Sequence, residues 1–257
     1  MIGLDFPIKP QWIHDVHQLW APNEPISNLI SRSLASTMQE LGGEKTRRNS
    51  LSILLRHYVA TEGSGNARHT IEKDVWVAYS KKHPVTSLVP AYLVQLVAHN
   101  ALAGDTIRFI TRRYKAGDTF KSEELKHHII GKYGERKVVT NAVSAFLRTM
   151  QYFSVLEPVK TAGEYRVRER LTLSAEIFPL AFYALWLLNP VPQIDFETFN
   201  QLLIDSFISD ENLDACWKRH QPNLWTISER VDARFAIVKY PDIENLKSTL
   251  LNSVSQS

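Results

Sequence analysis

From residue 136 to about residue 153 the apolar side chains Val139, Ala142, Val143, Phe146, Leu147, Met150 and Phe153 follow one another at spacings of three, one, three, one, three and three. A helix with one continuous buried stripe satisfies that period, so the rest of the chain must cover one side of it. The other side carries Arg136, Lys137, Thr140, Asn141 and Ser144. A second helix precedes this one. Gly117 and Asp118 form a polar stop, Ser122 offers an N-cap hydroxyl, and Glu123 and Glu124 fall in the first turn, where the helix dipole favours acids. Leu125, Ile129, Ile130 and Tyr133 continue it, and Gly134 supplies its C-terminal stop. Residues 158–172 then carry Gly163 near their midpoint and alternate Tyr165, Val167, Glu169 and Leu171 with Arg166, Arg168, Arg170 and Thr172. That is the pattern of a two-stranded ribbon with its arginines on one face.

Charge is concentrated in the same place. Residues 106–170 hold 14 Lys and Arg against 7 Asp and Glu, a net of +7, whereas the whole chain is +3, so the remainder sums to −4. A local basic field beside a helix and a hairpin is the footprint expected for phosphate contact. The order of helix, turn, amphipathic helix and Gly-centred ribbon over residues 118–172 resembles winged helix-turn-helix DNA-binding domains. In that arrangement the second helix enters the major groove. Asn141 is then placed to read adenine and Arg136 or Lys137 to meet guanine or phosphate, with Thr140 and Ser144 beside them. Arg166 and Arg168 on the wing meet phosphate or the minor groove, and Lys121 and Lys126 steady the backbone. Six such contacts give a log-log salt slope near −5, at roughly 0.9 per phosphate.

Other chemistry finds little footing. Cys216 is the single cysteine, which excludes an intramolecular disulfide and reads as a packed, inert thiol in a reducing compartment. The start has no basic segment followed by an apolar one, so the expected setting is cytoplasmic. The most apolar window, 177–188, is about twelve residues against the roughly twenty a membrane span needs, and reads as a buried helix. His14, His17, His127 and His128 have no partners at metal-ligand spacing and read as surface histidines. Glycine-rich nucleotide loops are missing, so no cofactor is expected. Asp242, Glu244 and Lys247 superficially suggest a metal-dependent nuclease, but all three fall within one short helix opened by Pro241.

The expected fold class is mainly α, in three parts. Residues 1–115 read as a helical bundle, with helices over 24–41 (ended by Gly42 and Gly43), 44–61, 70–80, 88–102 and 105–114 and a flexible loop at 63–66. Lys45, Arg47 and Arg48 crowd the first turn of the second of these, the end least favourable to cations. Residues 116–175 hold the winged helix-turn-helix. Residues 176–257 form a C-terminal helical region in which Asp195 caps one helix, residues 210–220 supply another, and 224–228 and 234–240 pair as a hairpin. This helix, helix, hairpin order leaves open a degenerate second winged helix, although its acids Asp195, Glu197, Asp205, Asp210, Glu211 and Asp214 point to an interaction surface instead. Residues 252–257 look like a tail.

More distantly, the helical first half with Asp105-Thr-Ile-Arg-Phe-Ile-Thr-Arg-Arg-Tyr114, then Lys137-Val-Val-Thr-Asn-Ala-Val-Ser-Ala-Phe-Leu-Arg-Thr-Met150 and Phe153-Ser-Val-Leu-Glu157, resembles the BrxA-type accessory proteins of bacterial BREX phage-defence systems. The resemblance implies a non-enzymatic DNA-binding protein working beside methyltransferase and ATPase subunits. Double-stranded DNA is thus the expected partner, with other protein subunits, no membrane, and a homodimer left open. Two alternatives stand beside this. One is a protein-interaction scaffold, with the six tryptophans and the acidic C-terminal third as its surface. The other is a ligand-responsive regulator whose pocket lies between 89–103 and 178–188.

Overall fold

The computed structural model describes residues 6–21, 24–59, 74–221, 223–230 and 233–256, which are mostly helical with two small three-stranded sheets. Two helices with no polar face organise it. α5 (Val85–His99) buries Leu88 and every residue from Pro90 to Val97, and α9 (Phe178–Trp186) buries all nine of its residues. Helices apolar all round must sit inside, and here they pack on each other. The two walls of the expected ligand pocket are therefore in direct contact. Around them lie α1 (Pro10–Leu19), α2 (Ile26–Ser36), α3 (Glu44–Leu54) with a π-helical turn (Leu55–Val59), and α4 (Asp74–Lys82).

A buried polar network fastens this layer. His17 of α1 meets Ser80 Oγ of α4 at 2.7 Å through Nδ1 and the Tyr58 carbonyl at 3.1 Å through Nε2. Ser80 Oγ also lies 2.7 Å from the Tyr92 hydroxyl, and Tyr58 donates to the Tyr92 carbonyl. His17 is thus fully buried, not a surface histidine. α2 stops at Ser36, short of Gly42, because Thr37 turns its hydroxyl back onto the Ser33 carbonyl and Met38 adopts φ +57° to bury its side chain. The helix expected over 88–102 ends at His99, since Asn100 accepts a hydrogen bond from the Ala103 N–H and so caps the next helix. The expected loop at 63–66 and the start of the 70–80 helix lie outside the described residues.

The remaining chain repeats one order of elements. α6 (Ala101–Arg113), β1 (Thr119–Lys121), α7 (Ser122–Tyr133), α8 (Lys137–Tyr152), β2 (Leu156–Pro158) and β3 (Glu164–Val167) form an antiparallel sheet in the order β1-β3-β2. α9, β4 (Gln193–Asp195), α10 (Phe196–Asp205), α11 (Leu213–Arg219), β5 (Trp225–Arg230) and β6 (Ala233–Val238) form another in the order β4-β6-β5. In both, the first strand lies at an edge, the last is central, and two helices stand between the first and second strands. The second unit closes over an aromatic core. Trp217 stacks on Phe196 at 4.3 Å and meets Phe178, Phe199 and Trp225 edge-on at about 5 Å. Trp12, Trp76, Trp186, Trp217 and Trp225 are all buried, so these tryptophans serve the core and offer no partner surface. α12 (Ile243–Gln256) runs through the expected tail, because Leu246 and Leu250 anchor it and it packs on α4.

The two units meet at a short joint. After β3 the chain leaves its sheet, and Leu171 forms a parallel bridge with Ile208. Arg170 reaches across to donate to the carbonyls of Ile204 and Ile208 at the end of α10, with its guanidinium 5.8 Å from the Phe207 ring centre. Arg112 of α6 pairs with Asp205 at 2.6 Å. Arg170→Ala leaves the Ile204 and Ile208 carbonyls without this donor and is expected to cost about 1–3 kcal/mol, read as a lowered urea midpoint.

Candidate nucleic-acid interface

The turn between α7 and α8 sets the site. Gly134 takes φ +81° and donates to the Ile130 carbonyl at 2.8 Å, which closes α7. Two residues later Arg136 stands as the extended N-cap of α8, with its guanidinium on the Tyr133 carbonyl at 3.1 Å. The apolar stripe read from the sequence is buried throughout, from Val139 to Phe153. The opposite side exposes Lys137, Val138, Asn141, Ser144 and Arg148, with Thr140 half-buried. No acid occurs anywhere along α8, and neither a side-chain cap nor an acidic residue relieves its first turn. Cations at that end cost a few tenths of a kcal/mol against the helix dipole. The matching helix of the second unit is opposite in character, with Asp214 in the first turn of α11, held by Lys218 at 2.7 Å and Arg234 at 2.5 Å.

The other sequence-derived positions are scattered. Ser122 does not cap α7. Lys121 occupies that position, and Ser122 begins the helix, buried, its N–H bound to the Gly163 carbonyl at 2.8 Å. Gly163 has φ +79°, and a Cβ there would lie 3.3 Å from Ser122 Oγ, so this tight contact explains the glycine better than the ribbon pattern does. The ribbon itself is shorter than the alternation over 158–172 suggests, and it gains β1 as a third strand. Arg166 lies on β3 between Thr119 and Glu157 and pairs with Glu157 at 3.0 Å. Arg168 has left the sheet. It lines a cleft of about 650 Å³ between the two units, together with Lys115, Arg170, Asp210 and Glu211. The arginines therefore do not share one face: Arg166 is on β3, Arg168 in the cleft and Arg170 in the joint. Lys121 is exposed on β1, and Lys126 lies on α7, half-buried. In the N-terminal layer, Arg48 pairs with Glu44 and Arg47 donates to Gln39, so two of the three cations in the crowded first turn of α3 have partners within the chain.

A cluster the sequence reading passed over sits on α6. Arg108, Arg112 and Arg113 line an open cleft of about 400 Å³ with Lys132 and His128 of α7, around Asp105 and Phe109. Asp105 accepts from Arg108 at 2.7 Å, Lys132 at 2.6 Å and the Tyr133 hydroxyl at 2.5 Å. Burial alone would raise its carboxyl, but these three donors outweigh it and hold the group at about 2. Arg113 lies over the Phe109 ring at 4.4 Å and His128 packs against the same ring at 4.7 Å. Residues 106–115 contribute four cations and no acid, three of them on α6 and the fourth, Lys115, just after it. The i, i+4, i+5 spacing of those three on one helix was the available signal.

Among the described residues, no three His, Cys, Asp or Glu side chains gather as metal ligands, and no single helix is long and apolar enough to cross a membrane. Cys216 is buried, its thiol pushed up to about 11 by burial. The chain matches no family model, no curated protein and no solved structure.

Folding lowers the Asp105 pKa from 3.8 to about 2, so its stabilisation is complete above pH 3.8 and fades as pH falls through about 2. Asp105→Asn is expected to be less stable than the native chain near neutrality. It should also lose less stability across that acid window, as measured by urea unfolding at each pH.

Proposed function

We propose that this chain is a non-enzymatic, cytoplasmic DNA-binding protein in which α6 through β3 act as a winged helix-turn-helix. The observation that carries the reading is α8, a helix with one side fully buried and the other exposing Arg136, Lys137, Asn141 and Ser144 with no acid along its length. A helix of this kind fits the major groove, and its cationic, uncapped N-terminus is complementary to phosphate. The order of elements, with an edge strand before the helix pair and a hairpin after it, supports the same reading. Asn141 is the base-reading candidate, with Thr140 and Ser144 beside it, while Arg136, Lys137 and the wing residue Arg166 serve the backbone. Lys121 at the end of β1 and Lys126 on α7 remain backbone candidates.

The second unit has the same topology and a different surface. Three of the four large apolar side chains exposed among the described residues, Leu188, Leu202 and Ile237, lie in it, and α11 opens on acids. That favours a second winged helix that docks another protein subunit over one that touches DNA. A place beside the larger subunits of a phage-defence system rests on the resemblance in helix pattern, and a measured molecular mass decides whether a homodimer presents paired half-sites.

Fluorescence anisotropy with unrelated duplexes over a range of salt tests the proposal. Arg136→Ala/Lys137→Ala is expected to weaken all duplexes alike and to flatten the log-log salt slope by about 2, at roughly 0.9 per phosphate. Asn141→Ala should keep the slope and lose about 1–3 kcal/mol of discrimination at one base pair. A native chain with a slope near zero sinks the reading.

A further inference from the structure

The cationic cleft between α6 and α7 has no part in the face just described, yet it holds the densest positive charge in the segment. We infer that this cleft seats a second stretch of the phosphodiester backbone of the same duplex, extending the contact from the start of α8 onto α6. The inference deepens the reading above and rests on it.

Four observations support it. Charge comes first: Arg108, Arg112, Arg113 and Lys132 face one carboxylate in the cleft, and Asp205 takes up part of Arg112 from outside it. These cations are still accessible, with the side chains of Arg108, Lys132 and Arg112 40%, 56% and 65% exposed. Second, they are already positioned. Asp105 holds Arg108 and Lys132 and the Phe109 ring supports Arg113, so little side-chain freedom is left to lose on binding. Third, the cleft suits backbone better than bases. The aromatic ring in it is occupied by Arg113 and His128, which leaves no open platform for an unstacked base. Finally, the cleft is continuous with α8, since Lys132 is followed by Tyr133, whose carbonyl holds Arg136, the N-cap of that helix.

The two arginines that the sequence assigned to the wing need such a replacement. Arg166 is paired with Glu157, and Arg168 faces a cleft that contains Asp210 and Glu211. α6 therefore adds backbone neutralisation that the paired Arg166 and the cleft-facing Arg168 supply only in part.

The experiment titrates one duplex against salt by anisotropy with the native chain, Arg108→Gln/Arg113→Gln, the charge-keeping Arg108→Lys/Arg113→Lys, and Arg136→Ala/Lys137→Ala. Urea midpoints establish that each is folded. The glutamine variant is expected to bind more weakly with a salt slope shallower by about 2, at roughly 0.9 per phosphate, while base preference at the Asn141 position is unchanged and the lysine variant keeps the native slope. A glutamine variant with native slope and affinity, beside an Arg136→Ala/Lys137→Ala variant that loses both, overturns the cleft alone and leaves the DNA-binding reading standing. Tighter, cleft-dependent binding of a single strand of equal length overturns the duplex assignment. A native chain that binds no duplex overturns both.

Discussion

The packing of α5 against α9 is the constraint from which the arrangement follows. Neither helix has a polar side to offer solvent, so each must be enclosed, and enclosing them takes elements from both halves of the chain. The N-terminal helices cover one part, tied down by the His17, Ser80 and Tyr92 network. α9 is also the first helix of the second repeated unit, while α5 leads directly into the first helix of the other. Burying the pair thus fixes where both units begin. The joint at Arg170, Leu171 and Ile208 then fixes them a second time, where the end of the first unit meets the segment between α10 and α11 of the second.

Two units of one topology have been given opposite electrostatics. In the first, α8 places Arg136 and Lys137 where the helix dipole repels them, with no side-chain cap and no acid in its first turn. In the second, Asp214 stands at the equivalent end of α11 and is consumed by Lys218 and Arg234. The contrast bears on function more than topology does, because a fold shared by two units cannot by itself account for a difference between them.

Long periodic features were legible in the sequence, and short or long-range ones were not. The stripe from Val139 to Phe153 needs only the 3.6-residue repeat, and the sequence predicts its burial at every position. β1 and β4 span three residues each and are too brief to show alternation. The alternation at 165–172 is real but misleads, since the strand register with β1 and β2 ends at Val167, with one last bond from the Arg168 N–H to the Val155 carbonyl, and the next arginines' side chains serve a cleft and a joint. Ser122 has the right residue type for a cap and lies one position too late. The α6 cluster depends on Asp105 meeting Lys132 and Tyr133, a contact across the turn between two helices that no local pattern records. The tryptophans were ambiguous by nature, because large aromatic rings serve cores and interfaces alike.

The unrelieved first turn of α8 has a thermodynamic consequence. A helix whose start carries uncompensated positive potential folds more favourably when anions gather there, so the stability of the whole molecule is linked to its ionic surroundings. Since α8 supplies one wall of the core through Phe146, Met150 and Phe153, the effect is not confined to its own end. Any anion gathered at that turn is therefore, in thermodynamic terms, a component of the fold.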